Sequence, residues 1–245
     1  MRQIYIAGCV FTARYPKLSF QIQNYMERCG MEVVRCCVPK YRLQEFVDQM
    51  PQNCRSLWSS LPDSAEFNTD CQVYSICHNC SAILDEWKPD VIVKSIWEWI
   101  LEDTEFLYPD YQGMEMILQD CWRSYDRRNE QDAVRELLHR MNVRVIELPD
   151  NYEKTTFCGN SLYRPAPVRN LKLAPVRFVE GAKGLFTPHS MEEQKRLMES
   201  YCQRFQGRKV VAYCHYCTEG LNLGGANAVH LAELLFKEEE NGCVR

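Results

Sequence analysis

No stretch of the sequence is apolar for long enough to cross a bilayer, so no membrane span is expected. The opening residues Met1–Cys9 hold too short an apolar run for a signal peptide and pass straight into a strand-like pattern, which points to a cytoplasmic chain. Neither a Gly-x-Gly-x-x-Gly element nor a P-loop occurs, so nucleotide or flavin binding has no motif support. Positive charge is not in excess either. Twenty-nine Lys and Arg face 33 Asp and Glu, a formal charge of −4, which removes any global electrostatic basis for binding nucleic acid or an anionic membrane.

What is plentiful is cysteine. Fourteen in 245 residues exceeds ordinary usage yet falls short of the density of small disulfide-stapled domains. In a reducing compartment, clustered thiols hold metal or carry out redox chemistry more often than they form structural bridges.

Along the chain, Gln3–Ala7 reads as a buried strand ending at Cys9, and Leu18, Ile22, Tyr25 and Met26 fall at helical spacing before the stop at Gly30. Met31–Val34 is a second strand that runs into Cys36 and Cys37. Residues 41–70 carry no clear period, and Val73–Ile76 is a third strand that delivers Cys77-His78-Asn79-Cys80. The same order recurs. Met114–Leu118 leads to Cys121, a helix carries Ala133, Val134, Leu137, Leu138 and Met141, and Val143–Ile146 forms a strand. Val33 follows Cys9 by 24 positions, and Val145 follows Cys121 by the same 24. Further on come Phe157-Cys158-Gly159, a helix opened by the capping-box pattern Ser190–Glu193, and a strand Lys209–Tyr213 ending in Cys214-His215-Tyr216-Cys217.

This is an internal duplication with its boundary near residues 103–113. The expected architecture is α/β: two similar parallel-sheet domains, 1–107 and 108–245, with metal sites at strand carboxyl ends. Four or five thiolates crowded at such ends would repel one another, and bound metal is the usual remedy. Two C-x-x-C elements, each preceded by strand-end cysteines in the same order, mark two soft-metal sites. The candidate ligands are Cys9, Cys36, Cys37, Cys77 and Cys80 in the first copy, and Cys121, Cys158, Cys214 and Cys217 in the second.

The pattern Cys9, Cys36-Cys37, Cys77-x-x-Cys80 and its repeat resemble the cysteine-rich CCG domain, which occurs twice in the B subunit of heterodisulfide reductase. The resemblance covers nearly the whole chain and extends through Val229–Leu235 after the last C-x-x-C. It implies a [4Fe–4S] cluster in each domain, non-cubane where five cysteines bind it. It further implies an oxidoreductase that reduces a small disulfide or relays electrons, working in a complex with flavin or iron–sulfur redox subunits. Two departures alter the expectation. Val38 stands where the first copy's glycine would be, and Phe157 replaces the first cysteine of the second pair. Phe offers no lone pair, so the second site keeps four thiols, the complement of a cubane cluster or of tetrahedral zinc. A fifth ligand for that site would have to come from elsewhere, with Cys202 and His189 as the candidates considered.

Two other classes of reading stand beside this one: a zinc-binding structural or scaffolding protein, and a metal-free dithiol exchange protein. Cys29, Cys54, Cys71, Cys202 and Cys243 are expected to be small buried hydrophobes. His78 and His215 are expected beside the sites without a settled role. Arg14, Lys17, Lys40 and Arg42 near the first site, and Arg123, Arg127, Arg128, Arg164 and Arg169 near the second, read as solvated surface charge. Their alternative role is to draw an anionic substrate.

Overall fold

A computed structural model describes residues 1–38, 43–63, 67, 70–168 and 170–236. Lys40, Arg42, Arg169 and Cys243 lie outside the described residues. The first half runs β1 (Arg2–Ala7), α1 (Cys9–Arg14), α2 (Pro16–Arg28), β2 (Glu32–Arg35), α3 (Leu43–Val47), α4 (Gln52–Ser60), β3 (Cys71–Ser75), α5 (His78–Trp87), β4 (Ile92–Ser95) and α6 (Ile96–Glu102). The second continues with β5 (Met114–Gln119), α7 (Arg128–Arg140), β6 (Val143–Glu147), α8 (Met191–Cys202), β7 (Lys209–Ala212), α9 (His215–Leu223), β8 (Asn227–His230) and α10 (Leu231–Leu235). Among the described residues no helix is long and apolar enough to cross a membrane.

The fold is α/β with two four-stranded sheets of the same order, β2-β1-β3-β4 and β6-β5-β7-β8, and every strand pair is parallel. The repeat is close to exact in length. A shift of 112 positions carries β1 onto β5 and α2 onto α7 with identical bounds. It also carries Gly30 onto Asn142, and both residues take positive φ, 81° and 54°, where the chain leaves the helix for the next strand. Asn tolerates that left-handed conformation better than other side chains, so the same turn survives without glycine.

In each sheet the chain leaves the first strand for a neighbour on one side, then crosses back to a neighbour on the other side. The carboxyl ends of the two central strands therefore diverge, and the gap between them is where this topology binds ligands. Cys9 follows β1 and Cys77 follows β3, one on each side of that gap; Cys121 and Cys214 do the same after β5 and β7. Residues 43–60, which sequence periodicity did not place, form two helices that cover this end of the first sheet. Trp58 of α4 is fully buried and its indole N–H donates to the Ala7 carbonyl at 2.8 Å, next to Cys9. Strand β4 and its successor α6 are too short to carry a clear period, and α6 carries a reciprocal capping box between Ser95 and Glu98. The capping box expected at Ser190 forms by half. Ser190 accepts from the Glu193 N–H at 3.2 Å, while the Glu193 carboxylate pairs with Arg196 instead.

Gly159 sits where the loop after Cys158 presses against α9. A Cβ there would lie 1.8 Å from the Tyr216 carbonyl oxygen, and its φ is +55°. Gly113 also has positive φ, +77°, but opens into free space. Gly159→Ala is expected to cost at least about 3 kcal/mol of stability, and Gly113→Ala about 1 kcal/mol. Denaturant unfolding of the anaerobically purified variants measures both, and equal costs would show that the loop moves away from α9 without penalty.

Candidate metal centre

The five cysteines of the first half meet. Cys9 opens α1, Cys36 and Cys37 follow β2 directly, Cys77 is the residue before α5, and Cys80 lies in its first turn. All five are buried and line one small cavity of about 40 Å³, together with Val10, Val38, Phe46, Asn79, Ile83 and Asn170. Their thiols are electrostatically coupled in series, Cys9 to Cys36, Cys36 to Cys37, Cys37 to Cys80 and Cys80 to Cys77. Such a chain cannot titrate uniformly. Donation from Cys37 and Cys9, helped by the backbone N–H groups of Val38 and Cys37, holds Cys36 far below the ordinary thiol range. Donation from Cys80, with the N–H groups of Cys80 and Asn79, lowers Cys77 to about 7 against the effect of burial. Cys9, Cys37 and Cys80 are pushed well above the ordinary value, first because each donates to a neighbouring sulfur and second because they are buried. Cys36 has φ +60°, the left-handed region, which turns the adjacent pair toward the same cavity.

In the second half Cys121 is the hub. Its sulfur is hydrogen-bonded to Cys158, Cys214 and Cys217; burial pushes its thiol up, and these donors together with His78 outweigh that and bring it well below the usual value. Phe157 has turned away from the thiols. It is 2% exposed and stacks on Tyr201 of α8, with ring centroids 4.4 Å apart and planes 15° from parallel. Its carbonyl accepts from the Trp122 N–H at 2.8 Å, so the backbone of the pair is kept although one sulfur is lost. Neither candidate for a fifth ligand arrives. Cys202 faces the Leu221 carbonyl at 3.5 Å, and His189 packs edge-on against Tyr163.

A candidate donor atom comes instead from the other half of the chain. Among the described residues, a ring nitrogen of His78 and the sulfurs of Cys121 and Cys214 lie within 4.8 Å of one another, and all three residues are buried. His78 is the first residue of α5, inside the C-x-x-C turn of the first copy. Its Nε2 meets Glu130 Oε1 of α7 at 2.9 Å, with both side chains at most 4% exposed. Burial works against a charge on His78, yet Glu130 and the two thiols outweigh it and raise its pKa well above the ordinary imidazole value. His215, the matching residue of the second copy, has no carboxylate partner among the described residues; burial first, then the neighbouring His230, Arg123 and His78, push it well below the ordinary imidazole value.

Arg123 corrects an expectation. It is not a surface charge: it is 2% exposed, and its Nη1 donates to Cys158 Sγ at 2.6 Å and Nη2 to Ser161 at 3.1 Å. The guanidinium lies 4.9 Å from the Tyr216 ring centroid and under 6 Å from those of Phe178 and Phe186. Burial opposes its charge, but the sulfurs of Cys158, Cys121 and Cys214 hold it firmly protonated. Arg127 is also mostly covered and pairs with Asp85 of the first half. Arg128 remains exposed, as expected, on Asp132. Cys54, Cys71 and Cys202 are buried and Cys29 is partly so.

Glu130 had a readable signal, since it takes the first position of an apolar stripe through Val134, Leu137 and Met141 where a carboxylate needs a buried partner. Arg123 had none.

Next to the five-thiol cavity, and sharing Val10 and Phe46 with it, is a larger cleft of about 360 Å³ between the halves. Arg14, Asn160, Arg164, Gln194, Tyr216 and Glu219 contribute to its wall.

No protein-family model and no curated protein sequence matches this chain. Among solved structures, it is similar to glutamate racemase isoform RacE1 from Bacillus anthracis at 9% identity and a TM-score of 0.32, over 96% of this chain and 78% of that one. A likeness that low carries nothing about activity.

The Arg123–Cys158 contact generates a stability test. Arg123 is a buried cation hydrogen-bonded to a thiol that burial pushes well above its ordinary pKa, and removing either partner leaves a buried polar group unpaired, at about 1–3 kcal/mol. Arg123→Met and Cys158→Ala are each expected to destabilise on that scale, and the double variant to fall short of their sum by at least about 1 kcal/mol. Denaturant unfolding of all four proteins completes the cycle; strict additivity would mean that the two side chains do not support each other.

Proposed function

We propose that this chain is an iron–sulfur oxidoreductase subunit of the heterodisulfide-reductase-B type, which reduces a small disulfide or relays electrons within a complex. The observation that carries the reading is the convergence of Cys9, Cys36, Cys37, Cys77 and Cys80 on one cavity. Five buried thiols lining one cavity exceed what a mononuclear tetrahedral ion uses, and they suit a multinuclear cluster that spreads its charge over several sulfurs. Direct dithiol exchange is less well supported. A free thiolate attacks in line and needs access, whereas these sulfurs are at most 8% exposed.

Cys36 and Cys77, already lowered in the metal-free protein, would be the first thiolates to engage, and the three raised thiols would release protons as they bind. A bound [4Fe–4S] cluster supplies one-electron chemistry at this position. The chain's own residues do the rest. Val10 and Phe46 form an apolar partition between the sulfurs and the cleft, and Arg14, Arg164 and Tyr216 give the cleft wall polar groups able to orient an anionic disulfide or thiol. With no flavin motif in the chain, electrons would come from flavin or iron–sulfur partner subunits in the cytoplasm.

Anaerobically purified protein is expected to be brown, with broad visible absorption and about four iron and four sulfide at the first site. Cys37→Ser should lose that iron and the partner-dependent thiol–disulfide activity while leaving the second site's metal in place. Colourless wild-type protein without iron, or a Cys37→Ser variant with full iron and full activity, would sink the assignment.

A further inference from the structure

His78 belongs by sequence to the first group of thiols and by position to the second. Glu130 engages its Nε2, and Nδ1 makes no hydrogen bond although the ring is 3% exposed. A buried imidazole nitrogen left in that state needs a partner, and one ring nitrogen of His78 lies within 4.8 Å of the sulfurs of Cys121 and Cys214. Donor atoms bound to one tetrahedral zinc ion, with Zn–S about 2.3 Å, stand about 3.8 Å apart. Three donors already within 4.8 Å of one another need only a small contraction to take a single ion. Cys217, in the first turn of α9, is electrostatically coupled to Cys121 and Cys214 and lies outside the 4.8 Å set, so it is the thiol that would have to move in as a fourth donor, whereas Cys158 is already engaged by Arg123.

Glu130 adds a second, independent argument. A ligating histidine usually gives its other nitrogen to a carboxylate, which fixes the ring and makes it a better donor. The His78–Glu130 pair has that form, in full burial. The shift of 112 positions puts Leu18 in the place of Glu130 in the first copy, and His215 accordingly has both ring nitrogens without partners. Only one of the two histidines is therefore equipped as a ligand, and it serves the site that lost a thiolate to Phe157.

We infer that the second site is a single-ion site of the zinc class, held by His78 Nδ1 from the first half and Cys121, Cys214 and Cys217 from the second, with Glu130 positioning the imidazole. The ion thereby ties the start of α5 to the ends of β5 and β7 and locks the two halves together. The inference rests on the reading that these thiol groups bind metal, but not on iron at the first site.

Zinc content and zinc X-ray absorption of the full-length, anaerobically purified protein test it. The expected result is one zinc per chain with three sulfur and one imidazole scatterer. His78→Ala should weaken zinc retention against a chelator by at least about 100-fold, and Glu130→Gln by about 10-fold. His78→Cys should restore retention with an all-sulfur shell, which separates ligand loss from misfolding. Iron at the first site should be unchanged in all three. An all-sulfur shell in the wild type, retention unaffected by His78→Ala, iron in place of zinc at the second site, or no zinc at all would each overturn the inference. Zinc with the expected shell in a protein that holds no iron would instead overturn the iron–sulfur reading of the first site and leave this one standing.

Discussion

Sulfur charge held out of water is the constraint around which the structure is arranged. Two thiolates about 4 Å apart repel by about 4 kcal/mol at an effective dielectric of about 20, and nine candidate thiols lie buried here in two groups. Within each group the protein spreads few charges over many sulfurs. Cys36 and Cys77 are stabilised as thiolates by neighbours that stay protonated, and Cys121 is stabilised by three thiols and His78. Hydrogen-bonded series of this kind keep a metal-free site foldable while leaving its ligands ready to ionise when a cation arrives.

The two copies meet that constraint differently. The first has five sulfurs and a lining that carries no charged side chain, with Phe11 and Leu18 at positions the second copy fills with Arg123 and Glu130. The second copy has one sulfur fewer and gains a buried cation against Cys158 and a buried carboxylate against His78. The copy without a sulfur at position 157 is thus also the one with a buried carboxylate at position 130. Beneath it, Asp120 is fully buried and is satisfied by Arg135 at 2.8 Å, Tyr213 at 2.9 Å and the Tyr152 N–H at 2.7 Å, so the base of the site is fixed by a closed polar network.

The halves are held to each other at these groups as well as along α6 and α7 and around Phe236. His78 reaches Glu130 and packs edge-on against Tyr213; Phe11 and Tyr15 pack on His230; Arg14 pairs with Glu219; and Glu86 accepts from the N–H groups of Val176 and Arg177. Any change in charge at either thiol group is therefore felt at the seam that also forms the cleft wall.

By itself the sequence determined what depends on neighbours along the chain. The period-2 and period-3.6 patterns located β1, α2, β3, β5, α7 and β7, and cysteines at their ends had to gather wherever parallel strands of this connectivity diverge. Residues 43–60 escaped because short helices with mixed faces carry little periodic signal, and Trp58 is buried by a partner 51 positions away. Tertiary structure alone decided which half each side chain serves. His78 and Glu130 are 52 positions apart on different halves, and Arg123 meets Cys158 across 35. A residue's position along its own helix fixes the direction in which its side chain leaves, but only the docking of the two sheets fixes what stands there, and that docking is set by the summed apolar burial of both halves rather than by any local pattern.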